Sequence, residues 1–246
     1  MSWVIPYRDR PDALKKMIQS VWKHWTNFEM CIVEQGDDRP FLRGQLCNIG
    51  VQHTTGETVL LQDVDVVHEA CMDFDAVLKK CGRPYVPFDG TVDIEMDANG
   101  RIVKRWPKRL RLQGWGGLTV FTREMFLNAC GFSNLMIGWG GEDNILQMRA
   151  GIIRIVGDLL HLQHPSLAGN GKDPARIRNK ALIKSDLTRD HKKDGVNQTV
   201  YVVNNEKVLN EACPRIWIVT VRNITVPIDF VYMNLLPEWY KPRSTK

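Results

Sequence analysis

Ten consecutive residues, Thr58-Val59-Leu60-Leu61-Gln62-Asp63-Val64-Asp65-Val66-Val67, restrict the fold of this chain more than any others. They begin as an apolar, β-branched run after Thr54-Thr55-Gly56-Glu57, which is the pattern of a strand buried on both faces of a parallel sheet. The run ends in two carboxylates two residues apart, where open α/β sheets place ligands at the carboxyl ends of their strands. Two like charges at the end of a buried strand are costly without a cation or hydrogen bonds. A divalent metal carrying a diphosphate would supply that compensation, because hard cations share carboxylate and phosphate oxygens. The alternative is a pair of solvated acids at a strand end. The two residues alone do not separate these readings.

The flanking elements repeat the alternation expected around such a strand. Ser2 to Pro6 is a short first strand, and Pro11 opens a helix carrying Leu14, Met17, Ile18, Val21, Trp22 and Trp25 at helical spacing. Phe28 to Val33 is a second strand and Phe41 to His53 a second helix. Strand-helix-strand-helix-strand within about sixty residues predicts a Rossmann-like nucleotide-binding half. Beyond it the pattern predicts a helix at Phe74 to Cys81, a strand at Tyr85 to Phe88 and a hairpin turning at Asn99-Gly100. A strand at Leu118 to Phe121, helices at Arg123 to Cys130 and Asp143 to Ala150, and a strand over Ile152 to Leu162 follow. Residues 173–194 are expected as a surface helix, and Thr199 to Val203 pairs with Ile216 to Val221 as antiparallel strands. One domain over residues 1–236 with a tail at 237–246 is the simplest division, as no repeat or low-complexity linker interrupts the 246 residues.

Composition narrows the class. An apolar fraction of 43% and a charged fraction of 25% are ordinary for a globular chain. The net charge of +5 is spread, apart from Lys104-Arg105-Trp106-Pro107-Lys108-Arg109-Leu110-Arg111, so a nucleic-acid-binding protein is not indicated. That cluster is either a solvated arm or a contact for an anionic ligand. The six cysteines form no Cys-x-x-Cys pair, and no apolar run is long enough to span a bilayer. A cytoplasmic, reducing location is expected.

Four further stretches bear on the two aspartates. Pro6-Tyr7-Arg8-Asp9-Arg10 places two guanidinium groups after the first strand, suited to phosphate or a nucleobase edge or, more simply, to pairing with Asp9 or Asp12. Phe41-Leu42-Arg43 opens the second helix with an aromatic face and a cation. In Gly138-Trp139-Gly140-Gly141-Glu142-Asp143-Asn144, three glycines permit close backbone approach and two acids open a helix. A helix cap accounts for Asp143, but not for Trp139 or the glycines. His161-Leu162-Gln163-His164 precedes Pro165. Two histidines at this spacing share a metal only if the strand turns there, since a straight strand would send them to opposite faces. His68, three residues after Asp65, is the competing ligand.

In this order the elements resemble the β-1,4-galactosyltransferases of glycosyltransferase family 7, over roughly Trp3 to Pro227. The resemblance rests on Pro6 to Arg10, Phe41-Leu42-Arg43, Asp63-Val64-Asp65, Trp139-Gly140-Gly141-Glu142-Asp143 and His161-x-x-His164. It implies an α/β GT-A fold with a mixed central sheet, and inverting transfer from a UDP-sugar to a glycan or glycoconjugate hydroxyl. It further implies Asp65, His161 and His164 as ligands of Mn²⁺, with Asp63 toward the ribose or the metal's water shell. Asp143 would be the general base, Glu142 a partner of sugar hydroxyls and Trp139 a sugar-stacking face. Pro6, Arg8, Arg10, Phe41, Arg43, Val64, Trp115, Gly116 and Gly117 would complete the nucleotide-sugar site.

Three departures accompany the resemblance. No signal anchor precedes the domain, which favours a soluble microbial or viral enzyme. Gly114 stands where animal members carry a bulkier residue, which enlarges the space for the donor sugar. Asp89 to Arg111 has no counterpart. A retaining or polymerase-type GalNAc or hexose transferase is the nearest alternative. A sugar-phosphate nucleotidyltransferase would need a glycine-rich loop near the N-terminus that is missing here, and an inactive carbohydrate-binding protein would be expected to have lost Asp65, Asp143 or His164.

Overall fold

The computed structural model describes residues 1–110, 114–138, 140–164, 174–184, 194–209 and 216–225. The strands are β1 (Ser2–Tyr7), β2 (Glu29–Gln35), β3 (Thr58–Gln62), β4 (Val66–Val67), β5 (Tyr85–Val86), β6 (Gly90–Met96) and β7 (Ile102–Arg105). They continue with β8 (Arg109–Leu110), β9 (Leu118–Thr122), β10 (Ile153–Arg154), β11 (Asp158–Leu162), β12 (Val200–Val208) and β13 (Ile216–Thr225). The helices are α1 (Pro11–His24), α2 (Arg43–Gln52), α3 (Phe74–Cys81), α4 (Arg123–Asn128), α5 (Glu142–Ala150) and α6 (Pro174–Lys184).

An eight-stranded sheet runs in the order β10-β5-β9-β3-β1-β2-β13-β12. Its centre is parallel, with β1 between β2 and β3. The β3–β9 and β12–β13 pairs are antiparallel, so the central sheet is mixed. β1 and β3 are buried along their whole length, as continuous apolar strands covered on both faces must be. In α1, Leu14, Met17 and Val21 face the core, whereas Trp22 is 42% exposed because one further residue turns about 100° off the apolar stripe. A smaller sheet, β4-β11-β6-β7 with β8 on β6, stands beyond the end of β3.

The structure corrects several sequence boundaries. The ten-residue stretch is not one strand: β3 stops at Gln62, and the Val66 N–H donates to the Asp63 carbonyl at 3.1 Å, closing a turn that delivers β4 to the other sheet. The expected strand over 152–162 is likewise divided, with β10 in the large sheet and β11 in the small one. The hairpin at Asn99-Gly100 is present as β6 and β7. The expected helix over 173–194 is described only as α6, the residues from 185 to 193 lying outside the described set, as does the tail at 237–246.

Candidate active site

The parallel arrangement of β1 and β3 brings their carboxyl ends to one edge of the large sheet, where the amino ends of α2 and α5 and the end of β11 also meet. The turn after β3 is what separates the two aspartates. Asp63 faces Arg43 on α2, and Asp65 faces Arg10 and the histidines after β11. They are not a shared carboxylate pair. Val64 between them is buried and fills the core beneath the turn.

Around Asp65, Arg10 Nη1 donates to Oδ2 at 2.6 Å, His164 Nε2 lies 3.0 Å from Oδ2, and His161 Nε2 lies 3.6 Å from Oδ1. Burial alone would favour the protonated acid, but the His161 and His164 rings, when protonated, and the Arg10 charge hold Asp65 well below the usual carboxylate range. The backbone fixes the arrangement. Leu162 N–H donates to the Asp65 carbonyl at 2.8 Å, and His161 is the cross-strand partner of Val66. His164 falls two residues beyond the end of β11, and the two imidazole rings converge with centroids 5.1 Å apart. The nearest ligand atoms of Asp65, His161 and His164 all lie within 4.8 Å of one another. One carboxylate and two imidazoles form a donor set suited to Mn²⁺ or another first-row divalent ion.

His68 does not join them. It is packed against Trp3, Trp25 and Phe74, and its Nε2 meets Gln62 Oε1 at 2.8 Å. Burial pushes its imidazole down to about 3, so it is a neutral core residue.

The second cluster centres on Arg43. Its Nε donates to Asp63 Oδ1 at 2.6 Å and its Nη1 to Asp143 Oδ1 at 2.7 Å, while Glu142 Oε1 is 3.9 Å from Nη1. Burial opposes the charge, yet Asp143 and Asp63 hold the guanidinium firmly protonated. Glu142 is 6% exposed, and its Oε2 has no hydrogen-bond partner among the described residues. Burial first, and the neighbouring Asp143 charge second, push its carboxyl up to about 8. The expected cap role of Asp143 is not found: α5 begins at Glu142, and Gly141 is the cap, without a side-chain bond. Gly138, Gly140 and Gly141 have φ of 72°, 95° and 103°, a backbone path that side chains other than glycine rarely follow. Trp139 lies outside the described residues.

The remaining expected residues frame these clusters. Pro6 is buried in β1 beside Val33. Arg8 donates to the Arg39 carbonyl at 2.6 Å and lies 5.4 Å from the Phe41 ring centroid. Arg10 and Arg43, expected at phosphate, are engaged with carboxylates in this structure. Asp63 N–H donates to the Gly117 carbonyl at 2.8 Å, and Arg154 covers the Trp115 ring at 4.7 Å while donating to Gly114 O. Gly116 lies directly against Asp143. Sequence reading missed Arg43 as the hub of three acids and Asp93 as the neighbour of His161. No spacing rule connects such residues, because the contacts run between strands and helices distant in sequence.

Residues 1–79 match the N-terminal region of glycosyl transferase group 7, and residues 101–155 match the N-terminal domain of galactosyltransferase, together more than half of the chain. The chain is 26% identical over 215 residues to human beta-1,4-galactosyltransferase 4, covering 80% of this chain and 57% of that protein. It is 30% identical over 156 residues to a beta-N-acetyl-D-glucosaminide beta-1,4-N-acetylglucosaminyl-transferase of Lymnaea stagnalis, covering 60% of this chain and 29% of the other. The chain thus spans about half the length of most curated relatives it matches, and less of the snail protein. Its structure superposes with a TM-score of 0.63 on Drosophila beta-1,4-galactosyltransferase 7 solved with manganese, UDP-Gal and xylobiose. That match has 17% identity and covers 96% of this chain and 97% of the other. The shared fold is GT-A.

Proposed function

The chain belongs to the group 7 glycosyltransferase family, and from that premise we propose that it is an inverting, metal-dependent transferase moving a sugar from a UDP-sugar to a carbohydrate hydroxyl. The observation that carries this reading is the convergence of Asp65, His161 and His164 beside an Arg43-anchored Asp143 at one sheet edge. Residues 1–236 are taken as the catalytic unit, with 237–246 as a tail.

Asp65, His161 and His164 would hold Mn²⁺, which when bound offsets the charge of the departing diphosphate. Asp63, Arg8 and Phe41 would contact the nucleoside, with the Arg8 guanidinium 5.4 Å from the Phe41 ring centroid on one face. Arg43 fixes Oδ1 of Asp143 and turns Oδ2 toward Gly116. From there Asp143 would accept the acceptor hydroxyl's proton as that oxygen bonds to the anomeric carbon and the bond to UDP breaks on the opposite face. Glu142, neutral near pH 7, would donate a hydrogen bond to a sugar hydroxyl, and Trp139 would stack on a sugar face.

One neighbour was solved with UDP-Gal and one relative is named an N-acetylglucosaminyl-transferase, so a UDP-hexose or UDP-N-acetylhexosamine is the proposed donor class. No helix among the described residues is long and apolar enough to cross a membrane. The described cysteines are free thiols, which supports a reducing, cytoplasmic setting. The deciding experiment is UDP release from UDP-Gal, UDP-GlcNAc and UDP-GalNAc, with xylobiose and N-acetylglucosamine as acceptors, in Mn²⁺ and in EDTA. Mn²⁺-dependent release with at least one donor is expected. Equal release in EDTA, or none with any donor, overturns the proposal.

A further inference from the structure

We propose that Asp93 is a positioning residue that fixes which ring nitrogen of His161 is presented to a metal ion, an inference that rests on the metal-binding reading above. Asp93 lies on β6, and its register partner on the neighbouring parallel strand β11 is His161. Paired residues of adjacent strands point to the same face, so the pairing itself sets carboxylate beside imidazole. Asp93 Oδ1 is 3.2 Å from Nδ1 of His161, while Nε2 of the same ring is turned to Asp65.

A carboxylate can only accept, so in the neutral ring the proton belongs on Nδ1 and the lone pair on Nε2. That lone pair then confronts Asp65 Oδ1 at 3.6 Å, two acceptors with no hydrogen between them. Such an arrangement suits a cation. Asp93 is itself held in place: Arg109 Nη2 donates to Oδ2 at 2.6 Å, and Trp106 N–H donates to its carbonyl at 3.0 Å. The arm between Asp89 and Leu110, expected from sequence to lack a family counterpart although the family match takes in residues from 101 onward, thus braces the ligand set through Asp93. Its cations are mostly engaged in the same way. Among the described residues, Lys108 pairs with Asp89 and Asp158, and Arg105 pairs with Glu69.

The test uses the metal-free protein and Mn²⁺ alone, without UDP-sugar. Asp93→Ala is expected to weaken Mn²⁺ binding, followed by electron paramagnetic resonance, by about 10–100-fold. Asp93→Asn, which keeps an acceptor oxygen, is expected to recover most of that loss. Independently of any Asp93 variant, ¹⁵N NMR of the metal-free wild type in mildly alkaline buffer is expected to show the Nδ1–H tautomer at His161, assigned by difference against His161→Gln. An Nε2–H tautomer overturns the proposal. Normal wild-type Mn²⁺ binding with an unchanged Asp93→Ala affinity overturns the role of Asp93 alone, whereas a wild type that binds no Mn²⁺ overturns the metal site together with it.

Discussion

Gly116 packs so closely against Asp143 that a Cβ at position 116 would lie 2.3 Å from Oδ2 of the carboxylate. The acid cannot simply swing aside, because Arg43 grips its other oxygen at 2.7 Å. Gly116→Ala is therefore expected to displace the proposed base and lower turnover by about 100-fold, the scale of a misplacement near 1 Å. Mn²⁺ affinity should change little, since the metal-ligand cluster is built from other residues. Steady-state kinetics beside a metal titration check this, and unaltered turnover would remove Gly116 from the argument.

Asp143→Asn preserves shape, and the helix loses no cap because Gly141 holds that position. If Asp143 takes the acceptor's proton, turnover falls by about two to four orders of magnitude while donor binding is kept. Glu142→Gln is the comparison. Adjacent helical residues point about 100° apart, so the two acids do not face the same atom. A larger loss in Glu142→Gln than in Asp143→Asn would reassign the base.

Glu142 also gives a stability signature. Its carboxyl is raised by burial from 4.5 to about 8, so the folded protein retains a proton that the unfolded chain releases in between. Raising the pH through that interval therefore favours unfolding, and the stabilisation is fully present only below the unfolded value. Glu142→Gln abolishes this slope. Thermal unfolding of metal-free protein should show the variant gaining on wild type as pH rises from about 4.5 to about 8, with no further gain above. Parallel pH profiles would show that Glu142 is ionised in the folded state.

Removing the cation that Asp63 and Asp143 share should be costly. Arg43→Gln is expected to destabilise the protein by about 2–3 kcal/mol, less than for a fully buried pair because the Asp63 side chain is 32% exposed. The deficit should shrink in acid, where protonation removes the uncompensated charges. Urea unfolding at neutral and acid pH measures both effects, and a loss independent of pH would point to packing instead.

Asp65→Ala and His164→Ala are each expected to abolish Mn²⁺ binding without unfolding the protein, since both act at the edge of the sheet. His68→Ala should do the reverse, keeping Mn²⁺ affinity and losing about 1–3 kcal/mol of stability from the aromatic core. Calorimetric Mn²⁺ titration with thermal denaturation separates the two classes. Metal loss in His68→Ala without loss in His164→Ala would reverse the assignment.

The sequence by itself determined the parts whose signals are local. The apolar run at Val59 to Leu61, the helical stripe of Leu14, Met17 and Val21, and the Asn99-Gly100 turn each depend on neighbours within a few residues, and each forms the expected element. The family resemblance, rather than residue types alone, singled out Asp65, His161, His164 and Asp143, and the structure groups the first three within 4.8 Å of one another. Only the tertiary structure decided how these residues are partnered. The turn after Gln62 sends Asp63 to Arg43 and Asp65 to the histidines, although only Val64 separates the two acids in the chain. It packed His68 into the aromatic core and left His161 near a strand end beside Asp65, and it set Asp93 beside His161 through a strand register spanning 68 residues. A charge finds its compensation across space, and hydrogen-bond and ion-pair partners that far apart in sequence leave no periodicity to read.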